Sequence, residues 1–250
     1  MSGWSPGKAS RGFPALVALT WGLAAPPATA AAATPAPPAM PDLVVQTGHV
    51  GDVVRALWSP DGAFLATLGG SGDGTVSVWS PGVGRLLAPI AAPSPIQTAT
   101  WAADSWSLAV GSADGRIRIW DRGSGRFTGE LERRRPSDQL AFSRGGDYLA
   151  ALDAEGVAVW DGRSRRLLWT ASAHRGAYAP LAWAPDGRRV ATASLIWDAP
   201  AGEALVKLRD YAVHGMGSEP LVWSPDGGFL AAINGASLKV WSAQSGELLA

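Results

Sequence analysis

From residue 43 onward the apolar positions fall in short runs, broken every few residues by Gly, Pro, Asp or Ser. That spacing predicts short strands joined by tight turns, because an amphipathic helix would need an apolar stripe at intervals of three and four over a longer stretch. Val76-Ser77-Val78-Trp79, Ile117-Arg118-Ile119-Trp120, Val157-Ala158-Val159-Trp160 and Leu238-Lys239-Val240-Trp241 alternate with period two, which places their branched residues on one strand face. Ahead of these runs lie the apolar stretches around Leu65, Leu108, Leu149, Val190 and Leu230, and behind them a fourth set usually preceded by Gly, as at Arg85-Leu86-Leu87 and Arg126-Phe127.

The pattern repeats at a period near forty. A first aromatic anchor falls at Trp58, Trp101, Phe142, Trp183 and Trp223, spaced by 43, 41, 41 and 40 residues, and a second at Trp79, Trp120, Trp160, Trp197 and Trp241. After the first anchor comes a turn written three times in nearly the same letters: Trp58-Ser59-Pro60-Asp61-Gly62, Trp183-Ala184-Pro185-Asp186-Gly187 and Trp223-Ser224-Pro225-Asp226-Gly227. Pro presets the backbone, Asp caps it locally and Gly takes the positive φ that closes a hairpin. Four short strands per unit make a sheet too small to bury itself, so it must be flanked by copies, which describes a propeller blade.

These residues resemble the WD40-repeat β-propeller family, of the bacterial type. Gly48-His49 precedes Trp58 by nine residues, and His174 and His214 hold the same place before Trp183 and Trp223. Trp-Asp stands at Trp120-Asp121, Trp160-Asp161 and Trp197-Asp198, and Trp-Ser at Trp79 and Trp241. The resemblance implies a buried hydrogen-bonded tetrad of His49, Ser71, Asp73 and Trp79 in the first unit. In the second unit Ser112, Asp114 and Trp120 remain, with Ala92 in the His place. Arg133 and Ala154 stand in the His and Asp places of the third unit, and Gly235 in the Asp place of the fifth. The anchors of the fourth unit, Trp183 and Trp197, are only 14 positions apart, so its blade is expected to be distorted or short of a strand. The expected fold is all-β: a WD40-type β-propeller over residues 42–250 with five visible four-stranded blades, in a closed, incomplete or open ring. An additional first strand at Leu43 to Thr47 and an expected last strand at Glu247 to Leu249 leave the manner of closure open.

Composition narrows the function. Lys plus Arg and Asp plus Glu are 21 each, so no global field attracts nucleic acid, and no nucleic-acid partner is expected. The basic clusters, Arg133-Arg134-Arg135 and Arg163 with Arg165 and Arg166, read as solvated edges. With no Cys in the chain, disulfides and thiol chemistry are excluded. All three His residues are committed to the repeat, which leaves no His for a triad or a metal site. Asp61, Asp186 and Asp226 lie in equivalent turns that explain them, and the Gly69 to Gly74 stretch lacks the Lys and the helix of a phosphate loop. No catalytic residue, cofactor or metal is expected.

Residues 1–30 carry Lys8 and Arg11 before an apolar run from Phe13 to Ala25 and a small-x-small site at Ala28-Thr29-Ala30. They read as a secretory signal peptide or as a disordered leader, followed by an Ala/Pro-rich linker over 31–41. The first reading puts the chain outside the cytoplasm, periplasmic or secreted; the second leaves it cytoplasmic. No run is long enough for a membrane span. The family resemblance implies a non-catalytic protein-protein interaction scaffold whose partner the sequence does not name. Asp52, Arg175, Tyr178 and Met216, in the connections leading into first strands, are the expected partner contacts, and open propeller edges favour self-association. Two other readings are an extracytoplasmic propeller that binds a small ligand or assists an enzyme, as TolB-like propellers do, and a truncated propeller without independent function.

Overall fold

A computed structural model describes residues 48–70, 72–172, 180–192, 194–211, 221–234 and 237–250. The chain divides into Met1–Asp42 and Leu43–Ala250, and the first of these, with the expected strand from Leu43 to Thr47, lies outside the described residues.

Blade I comprises β1 (Val53–Trp58), β2 (Leu65–Gly69), β3 (Val76–Ser80) and β4 (Arg85–Ile90), with a 3-10 turn at Pro81–Val83. Blade II comprises β5 (Ile96–Trp101), β6 (Ser107–Ser112), β7 (Arg116–Asp121) and β8 (Arg126–Glu132). In blade III are β9 (Gln139–Phe142), β10 (Tyr148–Asp153), β11 (Gly156–Asp161) and β12 (Leu167–Ala171), and in blade IV β13 (Leu181–Trp183), β14 (Arg189–Thr192), β15 (Leu195–Asp198) and β16 (Ala204–Lys207). Blade V holds β17 (Leu221–Trp223), β18 (Phe229–Asn234) and β19 (Ser237–Ser242). Each blade is an antiparallel meander in sequence order.

Register is the same from blade to blade. The second-anchor Trp faces an aliphatic residue of the strand before it: Leu65 with Trp79, Leu108 with Trp120, Leu149 with Trp160, Val190 with Trp197 and Leu230 with Trp241. On the other side of that Trp the pairing with the fourth strand slips by a bulge in blades I to IV, between Val78 and Trp79 and at the equivalent steps. A bulge re-aims side chains and raises the twist, so the Trp turns inward beside the branched residue before it. In blades I to III the third strands are buried on both faces, as at Val76 to Trp79, Ile117 to Trp120 and Gly156 to Trp160, whereas β19 of blade V leaves Leu238 exposed.

Four apolar clusters bridge successive blades: Leu68 and Val78 with Ile96 and Leu108, Ile117 with Leu140 and Leu149, Leu152 and Val159 with Val190 and Trp197, and Ile196 with Leu230 and Trp241. Burying each such aliphatic side chain contributes about 1.5–3 kcal/mol. The Pro-Asp-Gly turns close as their residue types require, with Gly62, Gly187 and Gly227 at φ of 71°, 69° and 71°. Blade II writes Ser105 in that place, and it takes φ 58° against the preference of an L-residue.

Two sequence expectations need correction. Blade IV is not short of a strand: Thr192 pairs with Leu195, so a two-residue connection replaces the usual turn and all four strands form, the second and third only four residues long. A hairpin tolerates this deletion because it removes only the projecting turn. In blade V the expected last strand is reduced to a bridge between Trp241 and Leu248, supported by Ser242 N to Glu247 O at 3.0 Å and Leu249 N to Val240 O at 2.8 Å.

Candidate interaction face

In a meander of four strands, the connection between blades and the turn between second and third strands lie at the same end. Backbone hydrogen bonds join these connections: Gly70 N donates to Asp52 O at 2.7 Å, Ile96 N to Gly74 O at 2.8 Å, Ala113 N to Pro95 O at 2.9 Å and Arg133 N to Gly115 O at 2.9 Å. The loops of this face are therefore pinned to the blades, and the side chains behind them differ from blade to blade.

In blade I the pinning group is a hydrogen-bonded chain. His49 Nδ1 lies 2.8 Å from Asp73 Oδ2, His49 Nε2 lies 2.8 Å from Thr67 Oγ1, and Trp79 Nε1 donates to Thr67 Oγ1 at 2.8 Å. Since the carboxylate accepts only, the proton belongs on Nδ1, Nε2 accepts from the Thr67 hydroxyl, and that hydroxyl accepts from the indole. The hydroxyl joining His49 to Trp79 is that of Thr67 in β2; Ser71, expected in this role, lies outside the described residues. Thr67 stands two residues beyond Leu65, the partner of Trp79, and so on the same strand face. Thr192 holds the same place relative to Val190, and Trp197 Nε1 donates to its hydroxyl at 2.8 Å. Period-two counting from the Trp partner is the signal that would have found both.

Asp73 also accepts from Val50 N at 2.9 Å and from the Thr75 hydroxyl. Burial raises its pKa, but the hydrogen bonds from Thr75, His49 and the Val50 amide together outweigh this and hold the carboxyl below its ordinary value. The consequence is positional. Val50, 96% exposed, is projected from a backbone whose amide is locked to a buried carboxylate.

Blades II and III place arginines there. Arg118, buried in β7, donates to Asp114 Oδ2 at 2.7 Å and to Ser112 Oγ at 3.2 Å, and its Nε lies 3.0 Å from Glu130 Oε2. The Arg118 hydrogen bond is the main cause holding the Asp114 carboxyl low. In blade III, Arg133 is the partner of buried Asp153, so an Arg and Asp pair replaces the His and Asp pair of blade I. Asp153, adjacent to Ala154, supplies the acid that counting along the repeat misses. Desolvation, with the Asp153 charge beside it, pushes the Asp138 carboxyl up. Arg135 and Glu155 pair at 2.6 Å on the surface, and with Arg134 they edge a cleft of about 380 Å³.

Of the expected contacts, Asp52 is exposed on the Val50 loop, and Arg175, Tyr178 and Met216 lie outside the described residues, as do His174 and His214. Asp61, Asp186 and Asp226 sit at the opposite end of their blades, accepting the amides of Ala63, Arg188 and Gly228 at 3.0, 2.8 and 2.9 Å. Asp121 and Asp161 likewise hold the turns between third and fourth strands, taking the Ser124 and Ser164 amides at 2.7 and 2.6 Å. Among the described residues no three His, Asp or Glu side chains converge as a metal site. Among the same residues no helix is long and apolar enough to cross a membrane.

Comparison with known proteins agrees with this architecture. The WD40 family description, WD domain, G-beta repeat, matches residues 42–80 and 93–121. Protein HIR1 of Cryptococcus neoformans is 28% identical over 213 residues, covering 80% of this chain and 21% of that protein. WD repeat-containing protein 1 of Bos taurus is 30% identical over 122 residues, covering 45% of this chain and 20% of that one. The chain thus spans about a fifth of the length of these relatives, and both are eukaryotic, so they lend the bacterial qualifier no support. A chain in the crystal structure of a mitotic checkpoint complex superposes with a TM-score of 0.66 at 24% identity, over 79% of this chain and 65% of that one, a likeness of fold.

Proposed function

We propose that the chain, whose residues 42–80 and 93–121 match the WD40 family, is a WD40-repeat β-propeller that acts as a non-catalytic scaffold and binds protein partners through the loop face headed by Val50. The observation that carries this reading is the locked Val50 loop, an exposed apolar contact on a backbone tied to Asp73 and Gly70. Binding then costs little ordering entropy, since the loop is already fixed. Exposed Arg134 and the Arg135 and Glu155 pair add charged contacts on the same face, where they set register and partner choice more than affinity. The charged groups behind them are paired, His49 with Asp73, Arg118 with Asp114 and Glu130, and Arg133 with Asp153.

Cross-linking of the chain in cells of its source, with mass spectrometry of the captured proteins, tests this. V50E and R134E should each deplete the same captured protein while leaving the melting temperature within a degree or so of the parent, as surface changes do. Capture unchanged in both variants would overturn the assignment of this face.

A further inference from the structure

Blades I and V each carry one half of the junction that joins the internal blades. At the I and II junction, Trp101 Nε1 donates to the carbonyl of Leu57, the residue before Trp58, at 3.1 Å. At III and IV, Trp183 Nε1 donates to Ala141 O, before Phe142, at 2.9 Å, and at IV and V, Trp223 Nε1 donates to Ala182 O, before Trp183, at 3.1 Å. Phe142 at II and III has no N–H to donate. The same anchor also receives a side chain from the preceding blade, always the residue just before the aliphatic partner of the second Trp. Phe64 meets Trp101 with ring centroids 6.5 Å apart, Tyr148 stacks on Trp183 at 6.0 Å, and the Arg189 guanidinium lies 5.1 Å over Trp223.

Carried one step further, this rule names the atoms of a missing junction. Blade I offers Trp58, 59% exposed where Trp101 is 6% exposed. Blade V offers Phe229, 45% exposed, at the place of Phe64 and Tyr148, and the carbonyl of Val222, the residue before Trp223. A cleft of about 160 Å³ beside Trp58, walled by Leu65, Trp79 and Pro81, is open on blade I. Among the described residues, no hydrogen bond or ring contact joins blade V to blade I.

We propose that blade I of one chain docks on blade V of a second copy, with the Trp58 indole donating to the Val222 carbonyl and stacking on Phe229. The occupant is another copy because the required half, an aromatic one residue before the aliphatic partner and a free carbonyl before the anchor, is the half this chain itself exposes. The contact is heterologous, pairing two different surfaces, so it propagates head to tail until it closes. It is independent of the loop face, which stays open.

Sedimentation velocity on the full 250-residue chain tests it, with W58R and F229E as variants. The parent should associate with rising concentration, and each variant alone should weaken that association by roughly tenfold or more, as loss of a central aromatic anchor does. W58R keeps an intact blade V face and F229E an intact blade I face, so an equimolar mixture should form a 1:1 complex that goes no further. V54K and V222K, also at exposed positions, repeat the test if circular dichroism shows either first variant misfolded. A parent that stays monomeric at all concentrations overturns the proposal. So does association that survives in either folded variant, or a mixture of the two that stays monomeric.

Discussion

Replacing Thr67 by Val exchanges one hydroxyl for a methyl group at nearly constant volume, and the geometry around that hydroxyl sets the cost. The Thr67 hydroxyl lies 2.8 Å from both Trp79 Nε1 and His49 Nε2, while its separation from Ser77 O, 3.4 Å, marks that contact as the weaker alternative. Trp79 and His49 are 9% and 8% exposed, so T67V leaves two buried neutral groups without their partner. Each such group costs about 1–3 kcal/mol, and the two together put the loss at about 2–4 kcal/mol. Blades touch only their neighbours, so the loss should be local: hydrogen exchange of the β2 and β3 amides should accelerate by about thirtyfold or more, with β14 and β15 unchanged. T67S is the control, since it keeps the hydroxyl and gives up one methyl group, at about 1 kcal/mol. Equal exchange in T67V and T67S, or a loss in T67V below about 0.5 kcal/mol, would refute the assigned network. The same network predicts a pH dependence. Because the folded Asp73 carboxyl lies below its ordinary value of 3.8, its contribution is complete above that value and disappears as pH falls through the lower folded one. D73N should therefore be less stable than the parent near neutrality, and the two should converge well below pH 4 in acid titrations followed by circular dichroism.

Blade III supplies two more expected outcomes. G156A should destabilise it by more than about 2 kcal/mol in urea titrations, because Gly156 holds φ 149° and an added Cβ would overlap the Ala171 carbonyl, a backbone atom that has no room to withdraw; a midpoint equal to the parent's would refute this. R133M should cost about 3–5 kcal/mol by leaving the buried Asp153 carboxylate without its partner, and R133M with D153L should recover much of the loss in the same titrations.

The period of forty, the paired aromatic anchors and the Pro-Asp-Gly turns were all legible in the sequence, since each depends on residues close together along the chain. Strand order within a blade was legible too, because a meander needs only neighbouring pairings. His49, Asp73 and Trp79 were grouped with Ser71 by the family resemblance and not by spacing; in the structure His49 lies against Asp73 and reaches Trp79 through the Thr67 hydroxyl. What joins them was decided in three dimensions. Thr67 serves because it shares a strand face with the partner of Trp79, and only the register makes that visible. Arg133 stands in the His place of blade III, yet its partner is Asp153 and not the Ala154 that counting along the repeat selects. Trp58 and Trp101 occupy the same place in the repeat, yet one is exposed and the other buried. Sequence specifies a side chain that needs covering, and the blade standing next to it decides whether it is covered.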